Sequence, residues 1–219
     1  SLAVATVLSF LVAAAGTSAL AADSGQGAWQ TLFNGKDFAG WQNAQGKAPG
    51  QGWVVEAGAM VRKPKAGDLW TKERFGDFVL DLEFKTEGNS GIFIRTGNPR
   101  DCVQTGIEIQ VLNPQGKPSK HSCGAIYDAL APTKDMVKAG AWNHVVITAK
   151  GSRLSVVMND EKIIDADLDR WITPGKNPDG TKNKYKNAIK DFPRKGHIGL
   201  QDHGANVSYR NLKIRSLDK

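Results

Sequence analysis

Short runs in which apolar and polar residues alternate recur along the chain, separated by Gly, Asn, Asp and Pro. A period of two is what a strand with one buried and one wet face requires, and it predicts a mainly β protein. The clearest run puts Phe78, Leu80, Leu82 and Phe84 on one face and Val79, Asp81, Glu83 and Lys85 on the other. Ser90–Arg95 sets Ile92 and Ile94 opposite Phe93 and Arg95, and Gly106–Leu112 sets Ile107, Ile109 and Val111 opposite Glu108, Gln110 and Leu112. Trp53–Glu56 and Ala59–Arg62 flank Ala57-Gly58 as a hairpin, and Leu69–Thr71 follows a loop containing Pro64 and Gly67. Trp142–Lys150, Arg153–Asn159 and Lys162–Ala166 read as a meander, and Gly196–Asp202 and Val207–Arg215 as the last strands. Only Asn183–Phe192 has helical character, and that is weak. Short strands with one apolar face imply two packed antiparallel sheets, and a jelly-roll β-sandwich is the usual closure.

Length and charge refine this picture. A chain of 219 residues suits one sandwich domain. The net charge of +7 is concentrated at residues 176–195, where Lys176, Lys182, Lys184, Lys186, Lys190, Arg194 and Lys195 face only Asp179 and Asp191. With few aromatics and no recognised motif, that stretch predicts a solvated loop and no nucleic-acid partner. From Leu2 to Leu20 no residue is charged, and Ala19-Leu20-Ala21 follows as a small-x-small site. This predicts a secretory signal peptide over 1–22, a single domain over 23–219, a periplasmic or secreted protein, and no membrane attachment after cleavage. Export permits a disulfide between the only two cysteines, Cys102 and Cys123, which bracket the Gly106–Leu112 run; two free thiols are the other reading.

Candidate chemistry gathers on the same runs. Glu108 and Gln110 project from one strand face, where a carboxylate and an amide can hold or act on a sugar. Jelly-roll glucanases need two carboxylates there, and neither Gln110, Leu112 nor Asn113 is acidic. Glu108 could also be an ordinary solvated strand residue. Arg95 ends the neighbouring run, where it could neutralise Glu108 or grip an oxyanion, or simply face solvent. Asn89 sits in an Asn-Ser-Gly turn, and Gln201-Asp202-His203-Gly204 ends a strand with three hydrogen-bonding side chains. His203 is the general acid or base candidate among the four histidines. Trp70 and Tyr127 are the aromatics expected near a cleft, the other Trp residues being core or edge packing. No phosphate-binding Gly loop and no HExxH are present.

Several blocks in order carry a resemblance: Leu32-Phe33-Asn34-Gly35-Lys36-Asp37 with Gly40-Trp41, Asn89-Ser90-Gly91-Ile92, Gly106-Ile107-Glu108-Ile109-Gln110, Gly124-Ala125-Ile126-Tyr127, and Gly196-His197-Ile198-Gly199-Leu200-Gln201-Asp202-His203-Gly204 with Tyr209-Arg210-Asn211. Together they resemble the 3-keto-disaccharide hydrolase family. The resemblance implies a concanavalin A-like jelly roll acting on oligosaccharides or glycosides whose sugar is oxidised at C3. A C3 ketone acidifies the C2 proton, so one base, one enolate stabiliser and one acid suffice, which agrees with the missing second carboxylate. On this reading Glu108 or His203 is the base, Arg95 meets the enolate, and Asn89, Gln110, Tyr127, Gln201 and Asp202 position hydroxyls. The resemblance equally admits a divalent metal held by Glu108 and His203. A carbohydrate-binding jelly roll without catalysis is the alternative from a different class.

Overall fold

The computed structural model describes residues 27–218. Thirteen strands and one short helix follow in chain order: β1 (Trp29–Thr31), β2 (Trp41–Gln42), β3 (Trp53–Glu56), β4 (Ala59–Arg62), β5 (Leu69–Thr71), β6 (Phe78–Thr86), β7 (Ser90–Thr96), α1 (Cys102–Thr105), β8 (Ile107–Val111), β9 (Asn143–Lys150), β10 (Arg153–Met158), β11 (Glu161–Asp167), β12 (His197–Leu200) and β13 (Val207–Ser216). They form two antiparallel sheets. One runs β11-β10-β9-β6-β13-β4-β3 with β1 also on β13, and the other runs β2-β5-β12-β7-β8. The chain crosses between the sheets repeatedly: β2, β5, the pair β7–β8 and β12 lie in the smaller sheet, and the strands before, between and after them lie in the larger one. This is the all-β jelly-roll sandwich that the period-two runs predict.

The alternation works as the strand pattern requires. Phe78, Leu80, Leu82 and Phe84 of β6 point inward and are fully buried, opposite Ile92 and Ile94 of β7 and Ile107, Ile109 and Val111 of β8. The register of β6 against β9 brings Leu80 opposite Ile147 and Leu82 opposite Val145, so inward side chains meet on one face. A buried polar contact joins the layers: the Tyr209 hydroxyl and Ser90 Oγ lie 2.7 Å apart, and Ser90 Oγ donates to the Gln201 carbonyl at 2.7 Å.

Every residue of β7 and β8 is buried, as in the three-residue β5. Their inner face meets the core, and their outer face is partly roofed by loops. Gln104 of α1 donates to the Lys184 carbonyl and accepts from the Lys186 N–H, while Tyr185, Ala188, Ile189 and Phe192 are buried. Those four positions have helical spacing, yet Asn183–Phe192 holds only a three-residue 3-10 turn, Ile189–Asp191. Bonds from elsewhere in the chain fix this backbone as irregular: Asn183 N–H to Gly175 O, Gly175 N–H to Tyr185 O, and Lys184 N–H to Asp128 Oδ2. Tertiary partners here outweigh a weak local preference. The free edge of β8 is covered in the same way, by Gly124 to Tyr127, whose backbone bonds to Glu108 and Gln110.

The disulfide expectation is corrected. Cys102 and Cys123 are both free. Cys102 precedes β8 in α1, whereas Cys123 lies beside Gly124, which bonds to Gln110 near the far end of that strand. The length of β8 keeps the two sulfurs apart, beyond what a disulfide spans. The expected signal segment, 1–22, lies outside the described residues. Among those described, no helix is long and apolar enough to cross a membrane.

Candidate functional site

Directly opposed residues of antiparallel strands share a face, so the registers of the five-stranded sheet fix which side chains meet on its outer side. Gln42 lies opposite Trp70, Trp70 opposite Gly199, Gly199 opposite Phe93 and Phe93 opposite Glu108. This makes one row across all five strands. The next row sets Gly91 opposite Gln110, and Gln201 joins it by donating its N–H to the Gly91 carbonyl at 2.9 Å.

Two glycines make the rows possible. A Cβ on Gly91 would fall 2.6 Å from Glu108 Oε1, so the Glu108 side chain lies across the gap that Gly91 leaves. A Cβ on Gly199 would strike the Trp70 ring in the same manner. Trp70 is 0% exposed and packs on Phe93 at 5.4 Å between ring centroids. It shapes the floor and offers no open stacking surface, which corrects its expected role against a sugar ring.

Glu108 is 4% exposed, and burial pushes its carboxyl above the ordinary Glu range, with Lys184 and His203 drawing it partly back. Lys184 Nζ lies 3.7 Å from Glu108 Oε2 and 3.9 Å above the Tyr127 ring. Burial raises the Tyr127 phenol, and the Glu108 and Asp128 carboxylates add to that. Asp68, just before β5, is likewise held above the Asp range, first by burial and then by Asp202, while an N–H from Asp202 and the nearby His203 act the other way. Glu108, Asp68 and the exposed His203 therefore share one electrostatic neighbourhood. Around it, Asn89 Oδ1, Gln110 Oε1, Gln201 Oε1 and Trp70 Nε1 are buried without a protein partner. Orphaned polar atoms cost free energy unless a ligand completes them, so they mark a surface built for a hydroxyl-rich molecule.

Two expected site residues do other work. Alternation would put Arg95 on the Glu108 face, but its backbone is left-handed, with φ of 51°. Its guanidinium turns away to the Gly76 carbonyl at 2.8 Å, the Gly151 carbonyl at 2.7 Å and Asp77 Oδ1 at 2.7 Å. At 1% exposure Arg95 ties two turns together and cannot meet an enolate beside Glu108. Asp202 is also spent: Oδ1 accepts from Arg62 Nε at 2.5 Å and from Gly204 N, and Oδ2 from Gly67 N. Burial alone would raise its pKa, but those bonds together hold it below the usual Asp range. Asp202 pins the loop carrying His203 against the loop carrying Asp68, and it has no oxygen left to lead a substrate. Among the described residues no three His, Cys, Asp or Glu side chains converge as a metal-binding group.

Asp68 and Lys184 carry no motif of their own. Asp68 could have been noticed as an acid directly before a strand end. Lys184 was hidden in the basic stretch read as a solvated loop, where one residue in fact reaches the carboxylate. A depression of about 670 Å³ lies on the outer face of the eight-stranded sheet, with Asp81, Glu83, His144, Asn211 and Lys213 in its lining. Its carboxylates are already paired, Asp81 with His144 and Lys213, Glu83 with Arg210 and Asn211. It has none of the orphaned groups that surround Glu108.

Residues 28–215 match the 3-keto-alpha-glucoside-1,2-lyase-like domain. The chain belongs to this family. The 3-keto-disaccharide hydrolase of Bacteroides thetaiotaomicron is 26% identical, the alignment covering 86% of this chain and 78% of that protein. A crystal structure of a candidate glycosyl hydrolase from Parabacteroides distasonis is 33% identical, covers 86% of this chain and 99% of its own, and superposes with a TM-score of 0.77. A Bacillus subtilis protein with a galectin-like fold, 9% identical and with a TM-score of 0.53, shares the fold alone, over 88% of this chain and 96% of its own.

Proposed function

We propose that the protein cleaves glycosidic bonds of 3-keto-glycosides, 3-keto-disaccharides among them, by removing the C2 proton and eliminating the C1 oxygen. The observation that carries this reading is the buried carboxylate of Glu108, held above its ordinary pKa among unpartnered amides in a chain of this family. A carboxylate with raised proton affinity is a better base, and the acidity of a proton beside a ketone makes one base sufficient. Glu108 takes the C2 proton, the C–H electron pair becomes the C2–C3 π bond, and the C3 oxygen becomes an enolate oxygen. When C3=O re-forms, a C1=C2 bond is made and the aglycone oxygen leaves C1 with a proton from His203. Water can then add at C1, giving one proton back to His203 while Glu108 returns its own to C2, so the net change is hydrolysis. Asn89, Gln110 and Gln201 orient the sugar through its hydroxyls. Export to the periplasm or beyond belongs to the same reading, supported by the uncharged run Leu2–Leu20.

The test is aglycone release from a chromogenic 3-keto-glucoside and from its unoxidised parent, with wild type and Glu108→Gln, each with and without chelator. Cleavage of the keto compound alone, reduced at least about 10³-fold by the substitution, is the expected result. Retained glycan binding without cleavage of either compound would replace this reading by a binding module. Loss of activity with chelator would bring in a divalent metal.

A further inference from the structure

We propose that Lys184 is a catalytic residue of this site, its ammonium group facing the C3 oxygen as the enolate forms. The inference rests on the C2-abstraction reading above and supplies the positive charge that Arg95 cannot. Among the described residues, Lys184 is the only cation within 4.0 Å of the Glu108 carboxylate. A base and an enolate oxygen sit on adjacent carbons in this reaction, so the cation beside the base is also beside the developing charge. Asn89, Gln110 and Gln201 present unpartnered carbonyl oxygens, which call for ligand hydroxyls, and the unpartnered N–H of Trp70 carries no charge. The site thus offers a cation beside Glu108 and carbonyl acceptors at its amides. The C3 oxygen, which can only accept, belongs on the Lys184 side, and the hydroxyls belong on the amide side.

The geometry of Lys184 is set in advance. Its N–H donates to Asp128 Oδ2 at 2.7 Å and its carbonyl accepts from Gln104 Nε2 at 3.3 Å. The next residue, Tyr185, is buried and its hydroxyl donates to the Tyr127 carbonyl at 2.6 Å. A backbone fixed on both sides leaves only the side chain to order, and its ammonium rests over the Tyr127 ring. Preorganised charge aimed at a transition-state oxyanion is the largest lever that such a site has, and losing one donor typically costs about 10²–10³-fold in rate. The charged and titratable groups facing Lys184 are Glu108 and Tyr127 from β8 and its edge segment and Asp128 beside them; His203 and Asp68 act on Glu108 from across the sheet, and Tyr185 adjoins in the chain.

The experiment compares wild type, Lys184→Met and Lys184→Arg on a chromogenic 3-keto-glucoside, measuring kcat, KM, the pH profile and solvent deuterium uptake at C2. Lys184→Met should lower kcat and the C2 exchange rate together by about 10²–10³-fold with a smaller change in KM. It should also move the acidic limb of the profile to higher pH, because Glu108 loses the charge that favours its carboxylate. Lys184→Arg should recover part of the rate. A Lys184→Met enzyme with wild-type exchange, kcat and acidic limb would overturn the role while leaving C2 abstraction intact. A wild type inert toward the keto-glucoside would instead overturn the reading beneath it. Thermal melting of both variants separates loss of chemistry from loss of fold.

Discussion

At Glu108 the demands of stability and of chemistry oppose each other. Burial disfavours the carboxylate, so its folded-state pKa exceeds the unfolded one. With the proton held more tightly in the folded state, this residue's contribution to stability declines as pH rises from the unfolded pKa through the folded one. At neutral pH the charged, buried form is therefore a burden that Glu108→Gln removes. We expect that variant to melt higher than wild type at pH 7, and the gain to vanish as pH falls below the usual Glu range. Melting curves across pH check this, with about 2–4 °C per kcal/mol as the scale for a chain of this size. A lower melting temperature at pH 7 would show that the Lys184 attraction outweighs desolvation. At this scale the sequence was legible where period two applied, since Glu108 and Gln110 share a face as their spacing says. It misled at Arg95, because a left-handed backbone residue reverses the side that alternation assigns, and spacing cannot display a φ angle.

Strands β7 and β8 act as one device, in which Gly91 exists for Glu108. Gly91 has ordinary φ, so its requirement is space and not backbone freedom. Gly91→Ala should leave the ladder intact and push the Glu108 carboxylate out of its place, since 2.6 Å is below any real Cβ contact. The expected outcome is a loss of activity approaching that of Glu108→Gln with a fold still cooperative in melting. Wild-type turnover in Gly91→Ala would mean that Glu108 moves freely and is not held by its neighbour. Strand identity and register could be anticipated because alternation is strong there; the segment after residue 175 could not, because its conformation follows from distant partners such as Asp128 and Gln104. The same distinction explains the cysteines. Export and their places on either side of one strand suggested a bridge, and that extended strand between them keeps them apart.

The two sheets meet the site together through Arg62. This residue lies on β4 of the larger sheet, and its guanidinium holds Asp202 and the Gly204 carbonyl in the loop after β12 of the smaller one. Both partners are largely buried, with side chains 9% and 12% exposed. Asp202 in turn fixes Gly67, next to Asp68, so one ion pair joins the layers and sets the loops that carry His203 and Asp68. Removing one partner of a buried pair leaves the other charge uncompensated, at a cost of roughly 3–5 kcal/mol. Arg62→Met should therefore lower the melting temperature markedly at pH 7 and reduce turnover by misplacing His203, although Arg62 touches no substrate. Because the folded pKa of Asp202 is depressed, the stability it provides is present above its unfolded pKa of 3.8 and is lost as pH falls through the folded value. The difference in melting temperature between wild type and Arg62→Met should accordingly be full near pH 7 and shrink in acid below about pH 4. A difference that stayed constant down to that range would assign the effect to lost packing of the Arg62 stem, and the ion pair would no longer be what couples the larger sheet to the site.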